Sequence, residues 1–311
     1  MLPGMAARPS IAIVGAGNFG AALAVALRRA GLRIEAVIAR ASLSGGTSPG
    51  GTSPGGTSLR KAQKLAKEVG ARALAVAAID RASASVAVRA DLIWFCVPDA
   101  EIALAARALA GTIEWKGRVA LHSSGALSSD ELAVLHRHGA SVASVHPMMT
   151  FVRGSRPLLA GVPFAVEGDA AALRMARRVV QKMGSHTYSI CKKDKAAYHA
   201  WGTFASPLFT ALLATGEQVA ALAGVSGKAA KQRMIPILSQ TLANYAAFDA
   251  ADAFSGPIIR GDLDTVKRHL RVLRRVPAAR EVYLALARSA LQYLPARNKK
   301  ALKRTLDSSR G

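Results

Sequence analysis

Three glycines, Gly15, Gly17 and Gly20, interrupt an otherwise apolar stretch and constrain this chain more than any other feature. They join the strand-like run Ile11-Ala12-Ile13-Val14 to the helix-like run Ala21-Ala22-Leu23-Ala24-Val25-Ala26-Leu27, whose helix should stop near Gly31. Gly15 permits a tight turn, Gly17 lets an anion approach the backbone, and Gly20 lets the following helix pack closely on a sheet. Such a helix starts with free N–H groups and the positive end of its dipole. The G-x-G-x-x-G spacing between strand and helix therefore predicts a dinucleotide-binding turn built from Gly15, Gly17, Asn18, Phe19 and Gly20.

The same run superficially resembles a secretory signal, since Arg8 precedes it. Asn18 and the glycines interrupt it, however, and a second strand follows at once, which argues against that reading. The later uncharged run from Ala200 to Gly216 is shorter than the roughly 20 residues of a spanning helix and contains Gly202, Ser206 and Pro207. No membrane association is expected. The two cysteines, Cys96 and Cys191, imply no disulfide framework, and a reducing cytoplasm is the simplest compartment.

With 311 residues, 51% of them hydrophobic, the chain can build two ordinary globular domains. Its formal charge of +23 is extreme. Much of it falls after Arg260, in Lys267, Arg268, Arg271, Arg274, Arg275, Lys299, Lys300, Lys303 and Arg304. A nucleic-acid surface would need more, because no nucleic-acid motif accompanies the charge and aromatic residues are only 5%. A solvated basic surface that attracts small anions is the favoured reading.

Apolar periodicity alternates strand and helix through the first part of the chain. Strands are expected at Arg33–Ala39, Ala71–Ala77, Asp91–Val97, Arg118–His122, Ser141–His146, Pro163–Glu167 and His186–Ser189. Helices are expected at Leu59–Val69, Glu101–Ala110 and Ala170–Met183, and Ser128 with Glu131 has the spacing of a capping box for a helix through His138. From about Lys193 onward the pattern is helical. The fold class expected is α/β, a Rossmann-type doubly wound parallel sheet over residues 1–190 followed by an all-helical C-terminal domain over 191–311. The GGTSP repeat from Gly45 to Ser58 reads as a flexible surface loop, placed just after the second strand.

Cofactor choice turns on the end of that second strand. An acidic side chain there binds ribose hydroxyls, whereas arginine and hydroxyl donors accommodate a 2′-phosphate. The chain offers Arg40 and Ser42, and Glu35 lies too near the strand's start, so NADP is expected over NAD.

The segments GAGNFG, FCVPDAEI, LHSSGAL, SVHPMMTF, YHAWGTFASPLF and SGPIIRGDLDTVKRHL together resemble the Rossmann-like proteins whose C-terminal helical part is named domain of unknown function 2520. These are distant relatives of pyrroline-5-carboxylate reductase, ketopantoate reductase and the deazaflavin-dependent NADP reductases. The resemblance implies an oxidoreductase, with ketopantoate-like reduction as one version, and a homodimer built through the helical domain. Ser206-Pro207 stands where the family pattern has Ser-Asn, which removes any role for that amide here.

Val97 and Pro98 end a central strand and Ser123 follows another, so their backbone should border the nicotinamide end. Asp99 has two readings, ligand neighbour or helix cap, and His122 and His146 either line the site or serve the fold. In the helical region Lys195, Tyr198 and His199 can share one helical face. His199 is the candidate proton donor, with Lys195 as its rival, and the guanidinium of Arg260 suits an anionic group on a small metabolite. Asp262 reads as a cap, and Pro207 and Pro236 as kinks or helix boundaries. The scattered histidines carry no metal-binding spacing, so no metal site is expected.

Overall fold

The computed structural model describes residues 8–39, 54–79 and 88–308, and the chain divides into two compact units, Met1–Gly202 and Thr203–Gly311. In the first unit the elements follow as β1 (Ser10–Val14), α1 (Asn18–Arg29), β2 (Arg33–Ala39), α2 (Pro54–Val69), β3 (Arg72–Ala75), β4 (Leu92–Phe95), α3 (Asp99–Ala110) and β5 (Val119–His122). Then come α4 (Ala133–Arg137), β6 (Ser141–Pro147), β7 (Pro163–Gly168), α5 (Ala170–Lys182), β8 (His186–Ser189) and α6 (Lys195–Ala205), which runs three residues into the second unit.

The strands form one sheet in the order β3-β2-β1-β4-β5-β6-β7-β8. Alternate side chains of β1 enter opposite cores. Ile11 and Ile13 pack with Leu23 and Leu27 of α1, Leu65 of α2 and Val179 of α5, while Ala12 and Val14 pack with Ile102 and Leu109 of α3 and Leu135 of α4. A sheet covered on both faces reads as continuous apolar runs, which residues 11–14 of β1, 36–39 of β2 and all of β4 display. Each fully buried Ile or Leu contributes roughly 1.5–3 kcal/mol, so the central strands anchor the unit. Strand order reverses between β1 and β4, and this switch point opens the crevice where such sheets take ligands.

The sheet is parallel-dominated rather than wholly parallel. Strand β7 pairs with β6 antiparallel, and β8 pairs with β7 parallel. Between Pro147 and Pro163 the chain makes no helix, so it has no crossover element to carry it back and it returns in the opposite direction. Two local expectations also change. Helix α2 starts at Pro54, inside the GGTSP repeat, because proline suits the first helical turn; residues 40–53, which include Arg40, Ser42 and most of the repeat, lie outside the described residues. The capping box at Ser128 does not form: the Ser128 hydroxyl takes the Asp130 N–H, and the 129–132 segment is a 3-10 turn leading into the short α4.

The second unit holds α7 (Pro207–Leu222), α8 (Gly227–Ala247), α9 (Ala250–Ala253), α10 (Pro257–Arg260), α11 (Leu263–Val272), α12 (Pro277–Tyr293) and α13 (Lys299–Asp307). Its core joins Val266 and Leu270 of α11, Leu284, Ala287 and Leu291 of α12, and Leu302 and Leu306 of α13. Pro207 opens α7 after a break at Ser206, whereas α8 continues through Pro236. No buried residue belongs to α7, and Ala230 alone is buried in α8. Among the described residues no single helix is long and apolar enough to cross a membrane.

Candidate functional site

The turn after β1 is shaped by what its glycines exclude. Gly15 has φ +102°, a left-handed conformation, and a Cβ there would lie 2.8 Å from the Cys96 carbonyl oxygen. A Cβ on Gly20 would come within 2.1 Å of the Gly15 carbonyl oxygen, so α1 packs onto the turn only with glycine at this position. Gly17 is different. A Cβ on it would meet no atom within 4 Å, so the glycine leaves open space beside the start of α1. No side chain caps that helix and no acid sits in its first turn, so its N–H groups and positive dipole end face this space. The arrangement fits the diphosphate of a dinucleotide. Asn18 and Phe19 use their side chains elsewhere: the Asn18 amide donates to the Phe151 carbonyl at 3.2 Å, and the Phe19 ring meets that of Phe151 edge-on at 5.1 Å. Their backbone remains part of the helix start.

Contacts then run along the carboxyl edge of the sheet, from β1 to β4, β5 and β6. Gly15 abuts Cys96 and Val97, and Pro98 is the cap residue of α3 without a side-chain bond to it. Asp99, the first residue of α3, accepts a hydrogen bond from the Ser124 hydroxyl at 2.8 Å, so it holds the next strand's loop and does not cap its own helix. The Ser123 hydroxyl donates to the Val145 carbonyl at 2.9 Å and accepts from the Trp94 indole at 2.8 Å, tying β4, β5 and β6 together. These two bonds commit the Ser123 side chain to the fold.

Beyond Ser124 lies a buried polar cluster. Lys195, at the start of α6, is 2% exposed and donates to the Ser124 carbonyl at 2.9 Å and the Ser144 hydroxyl at 2.5 Å. Burial pulls its pKa down to about 8, opposed by the negative charges of Glu167 and Asp99. Tyr198, one turn on, reaches His146 on β6 with a 2.7 Å hydrogen bond between its hydroxyl and Nδ1. Burial raises the Tyr198 pKa, so the phenol keeps its proton. Burial and the charges of Lys195 and His199 bring His146 down to about 4. His146 Nε2 and His199 Cδ2 both crowd Gly125, where a Cβ would sit 2.8 and 2.9 Å from them. Glycine at 125 is what lets the two imidazoles converge. His199 itself is exposed at the edge of this cluster.

His122 belongs to the fold. It is fully buried, its Nε2 bonds the Ser128 carbonyl at 2.9 Å and its Nδ1 accepts from the Ser124 N–H at 3.1 Å, with burial pressing its pKa to about 4. Arg260 lies in the second unit, exposed at the end of α10, and Asp262 caps α11 by accepting from the Thr265 N–H at 3.0 Å. Among the described residues no group of three or more His, Cys, Asp or Glu side chains could hold a metal. Sequence reasoning placed Ser124 and Gly125 only in a strand-end segment, 122–125, expected to line the nicotinamide end, and assigned no role to Ser144.

Residues 59–147 match the Rossmann-like domain family, and residues 162–290 match the domain of unknown function DUF2520, a match that includes β7, α5 and β8 as well as helices. A comparison with curated proteins gave no match. Among solved structures, a Bacteroides fragilis protein described as an NADP oxidoreductase is similar with TM-score 0.68 and 22% identity, covering 91% of this chain and 97% of that one. A Thermotoga maritima protein has TM-score 0.65 and 20% identity over 97% of this chain and 100% of its own. A reductive aminase from Aspergillus terreus, solved with NADPH and ethyl levulinate, has TM-score 0.58 and 16% identity over 96% and 99% of the two chains. At these identities the likeness is one of fold. The chain thus carries a Rossmann-like domain followed by a DUF2520 domain.

Proposed function

We propose that this protein is an NADP-dependent oxidoreductase that reduces a C=O or C=N bond in a small, carboxylate-bearing metabolite. The observation that carries the reading is the pairing, on one sheet edge, of an open phosphate cradle at Gly17 with the cluster of Lys195, His146, Tyr198 and His199. The solved structures with this fold include one described as an NADP oxidoreductase and a reductive aminase holding NADPH, which supports the same direction. When bound, the reduced nicotinamide supplies a hydride.

The chain's own residues then have separable tasks. The N–H groups of α1 hold the diphosphate, and the Val97 and Pro98 backbone borders the nicotinamide ribose. His199 donates the proton that the substrate's oxygen or nitrogen takes up as its carbon is reduced. Lys195, still an ammonium at pH 7 with its pKa near 8, stabilises negative charge developing beside it. Arg40 with Ser42 receives the cofactor's 2′-phosphate. His199→Asn should keep NADPH affinity and lower kcat by about 10²- to 10⁴-fold, read as NADPH oxidation across a panel of 2-keto acids and cyclic imines. Normal turnover in folded His199→Asn, with turnover abolished in Lys195→Met, would transfer the donor role to Lys195. Tight NADPH binding without oxidation of any panel member would instead mark a sensor. Arg40→Glu should weaken NADPH far more than NADH, and equal losses would remove the 2′-phosphate assignment.

We also infer a homodimer, whose contact surface is the apolar side of α7 and α8. Phe204 near the end of α6, Leu208 of α7, Ile237 and Tyr245 of α8 and Phe248 just after it are each at least 47% exposed, more apolar surface than an isolated helical unit normally leaves to water. Two free thiols fit a cytoplasmic setting.

A further inference from the structure

The amino edge of the sheet, opposite the glycine turn, holds a cavity of about 760 Å³ lined by Arg28, Arg33, Arg72 and Arg89 together with Ser10 and Glu35. Strand β1 separates the two ends: Ser10 opens it and Gly15 follows it, a path of roughly 16 Å at the usual rise per residue. A dinucleotide phosphate at Gly17 therefore does not account for these arginines.

Charge balance in the cavity is lopsided. Glu35 is the one acid in the lining; its Oε1 accepts from Arg72 at 2.8 Å and from the Arg89 N–H at 2.8 Å. Among the described residues the side chains of Arg28, Arg33 and Arg89 have neither an ion pair nor a hydrogen bond. Arginines near helix carboxyl ends can simply serve the last carbonyls. Here that task at the end of α1 falls to Arg8, which donates to the Gly31 carbonyl at 3.1 Å, while Arg28, in the last turn of α1, makes no such bond among the described residues. Glu35 thus acts as a brace. It fixes the Arg72 guanidinium and the Arg89 backbone and leaves three cations facing shared space.

We propose that this cavity is a second binding site, for a small molecule carrying several clustered oxyanions. One oxyanion would satisfy one guanidinium fork, so three uncompensated cations call for a polyvalent ligand, and the volume lies within the range of small-molecule pockets. Both oligophosphates and polycarboxylates have this chemistry.

The test is calorimetry on the intact protein at about 0.15 M salt, where surface attraction is screened beyond about 8 Å. Tripolyphosphate and citrate are the probes, with orthophosphate as the monovalent-site comparison. One-to-one binding of at least one polyanion is expected, tighter than orthophosphate by about tenfold or more. Arg33→Gln with Arg89→Gln should weaken it by a similar factor, while Arg137→Gln with Arg174→Gln, an equal charge loss at exposed positions outside the cavity, should change it less than about twofold. Tripolyphosphate binding more tightly than citrate assigns the site to phosphates, and the reverse order to carboxylates. Arg28→Gln, at an exposed helix position, provides the same reading if the double variant melts early. Absence of saturable binding, or equal weakening by the two pairs, overturns the proposal.

Discussion

Single residues carry the pH response. His122 has a folded pKa of about 4 against 6.5 when unfolded, so the unfolded chain binds more protons between those values. Its contribution is complete above about pH 6.5 and is lost as pH falls toward 4, a change on the order of 3 kcal/mol. His146, also held at about 4, loses stability over the same window, so urea unfolding at pH 7 and pH 4.5 should show the sum and His122→Asn should reduce it by roughly half; an unchanged slope would remove His122 as a source. Lys195 acts on the alkaline side. Its charge disappears as pH rises through about 8, so kcat should fall there, and the limb should vanish in Lys195→Met. At this scale the sequence is a partial guide. The helical spacing of Lys195, Tyr198 and His199 is readable from the chain, but the acceptors that make Lys195 unusual lie 71 and 51 residues away, at Ser124 and Ser144. Local spacing cannot register partners supplied by other strands.

Elements are more readable where covalent geometry leaves few options. The turn between β1 and α1 is one such place, because only glycine tolerates φ +102° at position 15 and the 2.1 Å approach at position 20. The two outer glycines and the middle one should therefore fail differently. Gly20→Ala should lower the melting temperature sharply, since the new methyl collides with backbone. Gly17→Ala should melt like the parent yet bind NADPH more weakly, because the methyl occupies the space left for phosphate. Identical melting losses for both would deny Gly17 a ligand role. Strand direction is harder to read. The apolar run Phe164-Ala165-Val166 is buried whichever way β7 runs, so composition alone does not distinguish antiparallel pairing from parallel. The missing helix before Pro163 is the sign that does. Similarly, the Ser128 spacing suggests a cap, but Asp130 competes for the same hydroxyl.

For the whole molecule, the apolar side of α7 and α8 predicts a dimer at micromolar concentration by light scattering. Replacing both Ile237 and Phe248 with glutamate should yield a folded monomer, whereas a parent protein that stays monomeric would end the dimer reading. A switch to helical composition near Lys193 is easily read from the sequence, yet the compact units meet at Gly202 and Thr203. The difference matters to anyone preparing the sheet as a separate fragment. A gene stopped after residue 190 deletes α6 and strips Ser144 and His146 of their partners Lys195 and Tyr198. One stopped after Gly202 retains both contacts. The longer fragment should express as a cooperatively melting product, while the shorter one, twelve codons away, should be prone to inclusion bodies.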